Sequence, residues 1–204
     1  ESDQLADAVR ALGLPVFLAG MARGLLGASG AQQVRHHHKE ALGEADFVLL
    51  CGVPMDFRLD YGRQIGAGAT VVAVNRDPSE LHKNRLSSLA LCADADLFVR
   101  ALAGAGVHVS CAPWSTRLAE RDAAREAAIA RLAVEAVSPL NPIALCRVVD
   151  AALTDSSTIV ADGGDFVGTA SYLLRPRAPM RWLDPGVFGT LGVGAGFALA
   201  AKLL

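Results

Sequence analysis

The sequence predicts an α/β fold in which helices pack on a parallel sheet. Short, continuous apolar runs recur along the chain with helically spaced stretches between them. This is the pattern of strands covered on both faces. Aromatic residues make up only 5% of the 204 residues, so alanine, valine and leucine carry the apolar load. That composition suits helix-on-sheet packing better than an aromatic-rich antiparallel sandwich. Hydrophobic residues reach 52%, ample for a core and too many for a disordered chain.

The elements follow in chain order. LADAVRALG (Leu5–Gly13) has helical apolar spacing and stops at a glycine. PVFLAG (Pro15–Gly20), DFVLLCG (Asp46–Gly52), TVVAVN (Thr70–Asn75) and SLALCAD (Ser88–Asp94) read as strands. PSELHKNR (Pro78–Arg85) and DADLFVRALAGA (Asp94–Ala105) read as helices between and after them. Trp114–Val137 reads as one long, alanine-rich charged helix, with Asp122/Arg125 and Arg131/Glu135 at pairing distance along it. SPLNP (Ser138–Pro142) breaks it, and the pattern restarts. NPIALCRVVDAAL is a helix with proline near its first turn. STIVADGGDF is a strand entering a glycine turn, VGTASYLL a helix and MRWLD a short strand. The closing segment is a glycine-rich loop opening a last helix. The expected division is 1–110, a helical linker 111–140, and a second region 141–204.

Charge and composition exclude several classes. The net charge of −2 calls for neither nucleic acid nor an anionic membrane as partner. The four cysteines, Cys51, Cys92, Cys111 and Cys146, form no C-x-x-C pair. Three of them lie in apolar runs, as small buried hydrophobes do, so free thiols in a reducing compartment are expected. ESDQLADAVRALGL has neither a basic nor an apolar leader region. The uncharged run Pro185–Ala201 is shorter than the roughly 20 residues of a membrane span and is broken by glycines. It reads as a buried helix, with a membrane anchor as the lesser alternative.

Four stretches could carry chemistry. In IVADGGDFVG (Ile159–Gly168) a strand ends, two glycines follow and a helix begins. That geometry aims backbone N–H groups at a phosphate above the strand's carboxyl end; an ordinary tight turn is the alternative. Neither a Walker A lysine nor a G-x-G-x-x-G is present. Gly186, Gly189, Gly192, Gly194 and Gly196 crowd the start of the last helix, where backbone can approach a ligand or another helix closely. HHHKE (His36–Glu40) reads as a solvated helix start, because adjacent histidines point in different directions. In VNRDPSELHKN, Asp77 stands past a strand's end, where α/β folds hold a ribose. It could equally cap the following helix with Ser79.

Taken in order, PVFLAGMARGLLG, GVPMDFR, VNRDPSELHKN, CADADLFVRAL, PLNP, VADGGDF and RWLDPGVFGTLGVGAGFALAAKLL resemble one family. It is the thiamine-diphosphate-dependent enzymes of the acetolactate synthase, oxalyl-CoA decarboxylase and 2-hydroxyacyl-CoA lyase group. The pieces DFRLDYGR, VNRD, DGGDFVGTA and RWLDPGVFGTLGVGAGFALAAKL resemble the lyase subgroup in particular. The resemblance covers nearly the whole chain. It implies a Rossmann-like (DHS-like) parallel-sheet middle domain, entered after its first strand, followed by the start of a second α/β domain that binds thiamine diphosphate. The family's catalytic glutamate and its GDG…N metal motif have no counterpart in these residues. The expectation is therefore an internal fragment, inactive alone, with no catalytic residue and no metal ligand of its own.

By the same resemblance, Gly164, Asp165 and Phe166 line the diphosphate, with backbone contacts weighing more than the Asp165 carboxylate. Gly189, Thr190 and Leu191 meet the aminopyrimidine and hold the cofactor bent; Leu191 stands where acetolactate synthases carry methionine. Asp56, Arg58 and Asp77 stand in the stretches that bind FAD in acetolactate synthases or an adenine nucleotide (ADP) in oxalyl-CoA decarboxylases. Mg2+ is implied, with its ligands outside this chain. The implied reaction splits a 2-hydroxyacyl-CoA into an aldehyde and formyl-CoA, or, in the synthases, joins two 2-oxo acids with loss of carbon dioxide. The implied assembly is a homodimer or homotetramer acting on a small-molecule or acyl-CoA substrate. The expected location is cytoplasmic, or the endoplasmic reticulum membrane for an animal homologue with an N-terminal anchor. A reading from another class is a stand-alone Rossmann-like adenine-nucleotide module.

Overall fold

In the computed structural model, which describes residues 1–107 and 109–203, two units emerge from the pattern of contacts. The first takes Asp3–Leu14 and His37–Leu118; the second takes Pro15–His36 and the residues from Ala119 onward.

The first unit starts with α1 (Ser2–Leu12), ended by Gly13 in the left-handed conformation at φ 68°, which glycine adopts without steric cost. Its apolar positions meet the helix that follows the sheet: Ala8 and Leu12 form a buried cluster with Val99. Helix α2 (His38–Glu44) leads into β1 (Phe47–Cys51), followed by β2 (Thr70–Asn75) and β3 (Leu89–Cys92). The sheet is parallel in the order β1-β2-β3, with Phe47 opposite Thr70 and Val72 opposite Leu89. Val48, Leu50, Met55, Leu59, Ile65 and Val71 fill the core beside it, each buried aliphatic side chain contributing about 1.5–3 kcal/mol. Helix α3 (Ala95–Gly104) closes the unit, capped by Asp94, which accepts from the Leu97 N–H at 3.0 Å.

Two expected elements come out differently. Pro15–Gly20 forms no strand. Val16 makes a single parallel bridge to Gln33, and the chain turns at once at Gly20, whose φ is 52°. Pro78–Arg85 is only a 3-10 turn over Pro78–Glu80. Asn84 takes φ 63° and donates from its side chain to the Met55 carbonyl at 2.8 Å. Arg85 is spent on the carbonyls of Gly62, Ile65 and Gly66. These tertiary hydrogen bonds hold the backbone out of a helix that local propensity would allow.

Helix α4 (Ala112–Leu132) is shorter at its C-terminus than its composition suggests. Asn141 explains the stop. Its side-chain amide donates to the carbonyls of Leu132 and Glu135 at 2.8 and 3.0 Å. Its side-chain oxygen accepts from Ile143 and Ala144, capping the next helix. One side chain thus satisfies the end of one helix and the start of the other.

That next helix is α5 (Pro142–Ala152). After it come β4 (Ile159–Val160), α6 (Asp165–Leu173), β5 (Trp182–Leu183) and α7 (Gly194–Leu203). Leu204, the last residue of the closing motif, lies outside the described residues. Strands β4 and β5 pair in parallel, Ile159 opposite Trp182. Trp182 is fully buried among Ile129, Cys146, Ile159, Ala170 and Leu173, a position where truncating the ring costs about 3–5 kcal/mol. Among the described residues no helix is long and apolar enough to cross a membrane.

The histidine run divides. His37 and His38 are exposed at the start of α2, as expected, but His36 is buried, its Nε2 lying 3.0 Å from Glu126 Oε1. Asp122, one helical turn before Glu126, accepts from the backbone N–H groups of Arg35 and His36 at 2.9 Å each. The four thiols are free. Cys146 is buried and Cys51 half-buried, but Cys92 is exposed because it ends edge strand β3.

Candidate functional site

The carboxyl end of β4 runs into Ala161-Asp162-Gly163-Gly164 and then α6. Gly164 occupies the cap position at φ 87°, a conformation open mainly to glycine. The first N–H groups of a helix have no partner inside it, so the start of α6 at Asp165, Phe166 and Val167 presents donors and the positive end of the helix dipole. Asp165 and Phe166 are both exposed there.

A second loop follows β5. The Trp182 indole donates to one Asp184 oxygen at 2.7 Å, and the Gly186 N–H donates to the other at 2.8 Å. The chain makes a 3-10 turn over Gly186–Phe188, passes through Gly189 at φ 58° and Gly192 at φ 87°, and enters α7. Phe188 and Leu191 are exposed by 83% and 74%.

The structure brings these two loops together. A Cβ on Gly163 would stand 2.2 Å from the Thr190 carbonyl oxygen, so only glycine lets the backbones touch. A Cβ on Gly164 would stand 3.2 Å from Leu191 Cδ2. The fastener is Asp162. One of its oxygens accepts from Gly163, Gly192 and Val193 at 2.8, 2.9 and 3.2 Å. The Gly163 N–H, with those of Gly194, Gly192 and Val193, holds this carboxyl below the usual carboxylate range. Gly194 is packed against the same side chain, where a Cβ would come within 3.1 Å of Asp162 Oδ2. Gly164, Asp165, Phe166, Gly189, Thr190 and Leu191 therefore line one neighbourhood. The sequence reading missed Asp162 and Asp184. The available signal was an aspartate directly before glycine or proline-glycine at a strand end, the place for side-chain-to-backbone turns.

The fit to a diphosphate is good in its donors and its closeness. The N–H groups of Gly163, Gly192 and Val193 are spent on Asp162, which leaves those opening α6 at Asp165–Val167, beside the glycine cradle, as the phosphate donors. The Asp165 carboxylate in the first turn opposes an anion. Among the described residues no group of three or more His, Cys, Asp or Glu could hold a metal ion.

In the first unit, Asp56 and Asp77 follow β1 and β2 at the carboxyl edge of the sheet, where α/β folds bind ligands. Both are engaged locally. Arg58 grips Asp56 with its Nε and Nη2 at 3.0 and 2.7 Å and also donates from its backbone N–H at 3.0 Å. Burial alone would raise the Asp56 carboxyl, but these Arg58 contacts outweigh it and hold it below its ordinary value. Asp77 accepts from the Ser79 hydroxyl at 2.7 Å and its N–H at 2.8 Å, contacts that lower its pKa. This is the capping role. The structure brings Asp56 and Arg58 together as a pair, while Asp77 is paired with Ser79. An open depression of about 580 Å³ elsewhere on this unit is lined by Tyr61, Gln64, Asn84 and Arg85, but not by these three residues.

Residues 1–102 match the family model described as thiamine pyrophosphate enzyme, central domain. The chain is 46% identical over 208 residues to 2-hydroxyacyl-CoA lyase 2 of Danio rerio, covering 99% of this chain and 34% of that protein. It is 44% identical over 208 residues to 2-hydroxyacyl-CoA lyase 2 of Homo sapiens, covering 99% of this chain and 33% of the relative. The acetolactate synthase large subunit IlvG of Mycobacterium tuberculosis is 36% identical over 192 residues, 93% of this chain and 35% of that protein. The chain thus spans about a third of the length of the curated relatives it matches.

Proposed function

The chain belongs to the thiamine pyrophosphate enzymes, and from that premise we propose that the protein cleaves 2-hydroxyacyl-CoA thioesters to an aldehyde and formyl-CoA. One observation carries the cofactor site of the proposal: Gly163 and Thr190 meet backbone to backbone under the fastening of Asp162. This turns two separate glycine loops into one cradle. Bound thiamine diphosphate would supply the carbon that adds to the substrate carbonyl and draws electrons from the bond to be broken. The protein's share is geometry. The N–H groups opening α6 bind the diphosphate, and the Gly189–Leu191 segment orients the rest of the cofactor. The exposed Phe166 and Leu191 side chains keep water from it. Mg2+ belongs to this reading because a diphosphate beside Asp165 leaves negative charge to neutralise. An adenine nucleotide, FAD or ADP, is proposed at the sheet edge near Asp56, Arg58 and Asp77. A homo-oligomer belongs to this reading through the family resemblance.

The names of the relatives at 46% and 44% identity favour the lyase. The relative at 36% favours a second reading, acetolactate synthesis from 2-oxo acids. A stand-alone nucleotide module is disfavoured because the likeness runs across 99% of the chain, including both glycine loops. The test supplies the protein, as its gene encodes it, with thiamine diphosphate, Mg2+ and a 2-hydroxyacyl-CoA. Formyl-CoA and aldehyde are the expected products. Acetolactate from pyruvate without thioester cleavage would replace the first reading with the second, and absence of thiamine diphosphate binding would overturn both. The 204-residue chain assayed alone is expected to give no turnover, since the resemblance assigns the catalytic glutamate to another domain.

A further inference from the structure

Arg23 lies far along the chain from both glycine loops, yet it touches the supports of each. Its Nη1 donates to the Ser171 carbonyl at 2.7 Å, in the last turn of α6. Its guanidinium lies over the Trp182 ring, 5.3 Å from the ring centroid. Trp182 is fully buried and donates to Asp184, whose other oxygen holds the Gly186 N–H where the second loop begins. Burial lowers the Arg23 pKa, and the Asp184 charge opposes that shift. The next residue, Gly24, is pressed so close to the Ala178 carbonyl that a Cβ would stand 2.3 Å from its oxygen. The backbone carrying Arg23 therefore has little room to shift.

These contacts have a consistent direction. A cation at the C-terminal carbonyls of a helix is favoured by the helix dipole. A guanidinium over the face of a tryptophan is attracted by the ring's negative face. One side chain therefore joins the far end of the helix whose N-terminus opens at Gly164 to the Trp182–Asp184 pair that launches the Gly186–Leu191 segment. Arg35 reinforces the same helix end, donating to the Tyr172 and Leu174 carbonyls at 3.4 Å each, and Arg23 adds to it the contact with Trp182. Arg23 bridges the two.

We propose that Arg23 is a positioning residue for the cofactor cradle, setting the α6 turn and the Gly189 loop in register with each other. The proposal rests on the reading of these loops as the thiamine diphosphate site. It assigns to Arg23 no contact with the cofactor. A cradle in which the Gly163 backbone touches Thr190 tolerates little relative movement, and small misplacements of binding groups carry large penalties.

The experiment compares wild type with Arg23→Met, Arg23→Lys and Trp182→Phe in the protein as its gene encodes it. Two readouts are taken: amide hydrogen exchange, and the thiamine diphosphate Kd by calorimetry with Mg2+ present. Arg23→Met is expected to speed exchange at 163–167 and 189–193 while leaving the α5 amides unchanged, and to raise the Kd by about tenfold, the scale of losing an orienting contact. Arg23→Lys keeps the charge and should recover part of the loss. Trp182→Phe keeps a ring under Arg23 but loses the bond to Asp184, so it should loosen 189–193 and spare 163–167. Exchange that rises evenly through the second unit, or not at all, would overturn the positioning role. Faster exchange confined to the two loops with an unchanged Kd would uphold the role of Arg23 and overturn the assignment of the loops to the cofactor.

Discussion

The Asp162 carboxylate accepts from Gly163, Gly192 and Val193, and Asp165, three residues on, stands exposed in the first turn of α6. The two aspartates should therefore answer mutation in opposite senses. Asp162→Ala leaves three N–H groups without their acceptor and removes the link between the loops. The thiamine diphosphate Kd is expected to rise on the order of tenfold, as when an orienting partner is lost. Asp165→Asn removes a negative charge from the helix end that meets the diphosphate, so the Kd should fall. Calorimetric titration of the two variants checks both signs. Asp56, Arg58 and Asp77 illustrate a different limit at this scale. The family resemblance marked them as nucleotide ligands; in the fold Arg58 bonds Asp56, and Asp77 bonds Ser79. Spacing of two residues in a turn serves capping as readily as binding.

Among the elements, α6 and the strand before it were legible because a short apolar run, two glycines and a helical stretch follow in order. The partner of that turn was not legible. Gly163 needs no unusual backbone angle; its lack of a side chain matters because Thr190 lies against it. Gly163→Ala is expected to destabilise the second unit by about 1–3 kcal/mol, the range for forcing an extra carbon into a filled space. It should also weaken thiamine diphosphate binding. Chemical denaturation and the same titration measure the two effects. A Gly163→Ala variant of unchanged stability would show that the loops do not touch. The helix expected at Pro78–Arg85 is the converse case. Its residues allow a helix, but Asn84 and Arg85 serve backbone carbonyls elsewhere in the unit.

For the molecule as a whole, segment Pro15–His36 joins the unit built from Ala119 onward, with Glu126 at the centre of the attachment. His36 Nε2 lies 3.0 Å from its Oε1, and Arg175 pairs with it at 2.8 Å. Burial would raise the Glu126 carboxyl, but His36, Arg175 and Arg35 outweigh it and hold it below the ordinary carboxylate value. A carboxyl whose pKa is depressed on folding adds stability above its unfolded value, about 4.3. That stability is lost as pH falls through the unfolded value toward the folded one. Melting temperatures measured from about pH 6 down to pH 3 should fall less steeply in Glu126→Gln than in wild type, with the two closest at the acid end. Parallel curves would remove Glu126 from the acid response.

The sequence by itself determined the α/β class, the positions of the strands β1, β2 and β3, and the two glycine loops. Those properties reside in local apolar runs, caps and turn residues, which act over a few positions. Tertiary structure alone decided that the loops meet, that Asp162 fastens them, that Arg23 braces both supports, and that His36 turns inward to Glu126. Each of these depends on groups tens of residues apart reaching hydrogen-bonding distance, and linear spacing carries no signal for that.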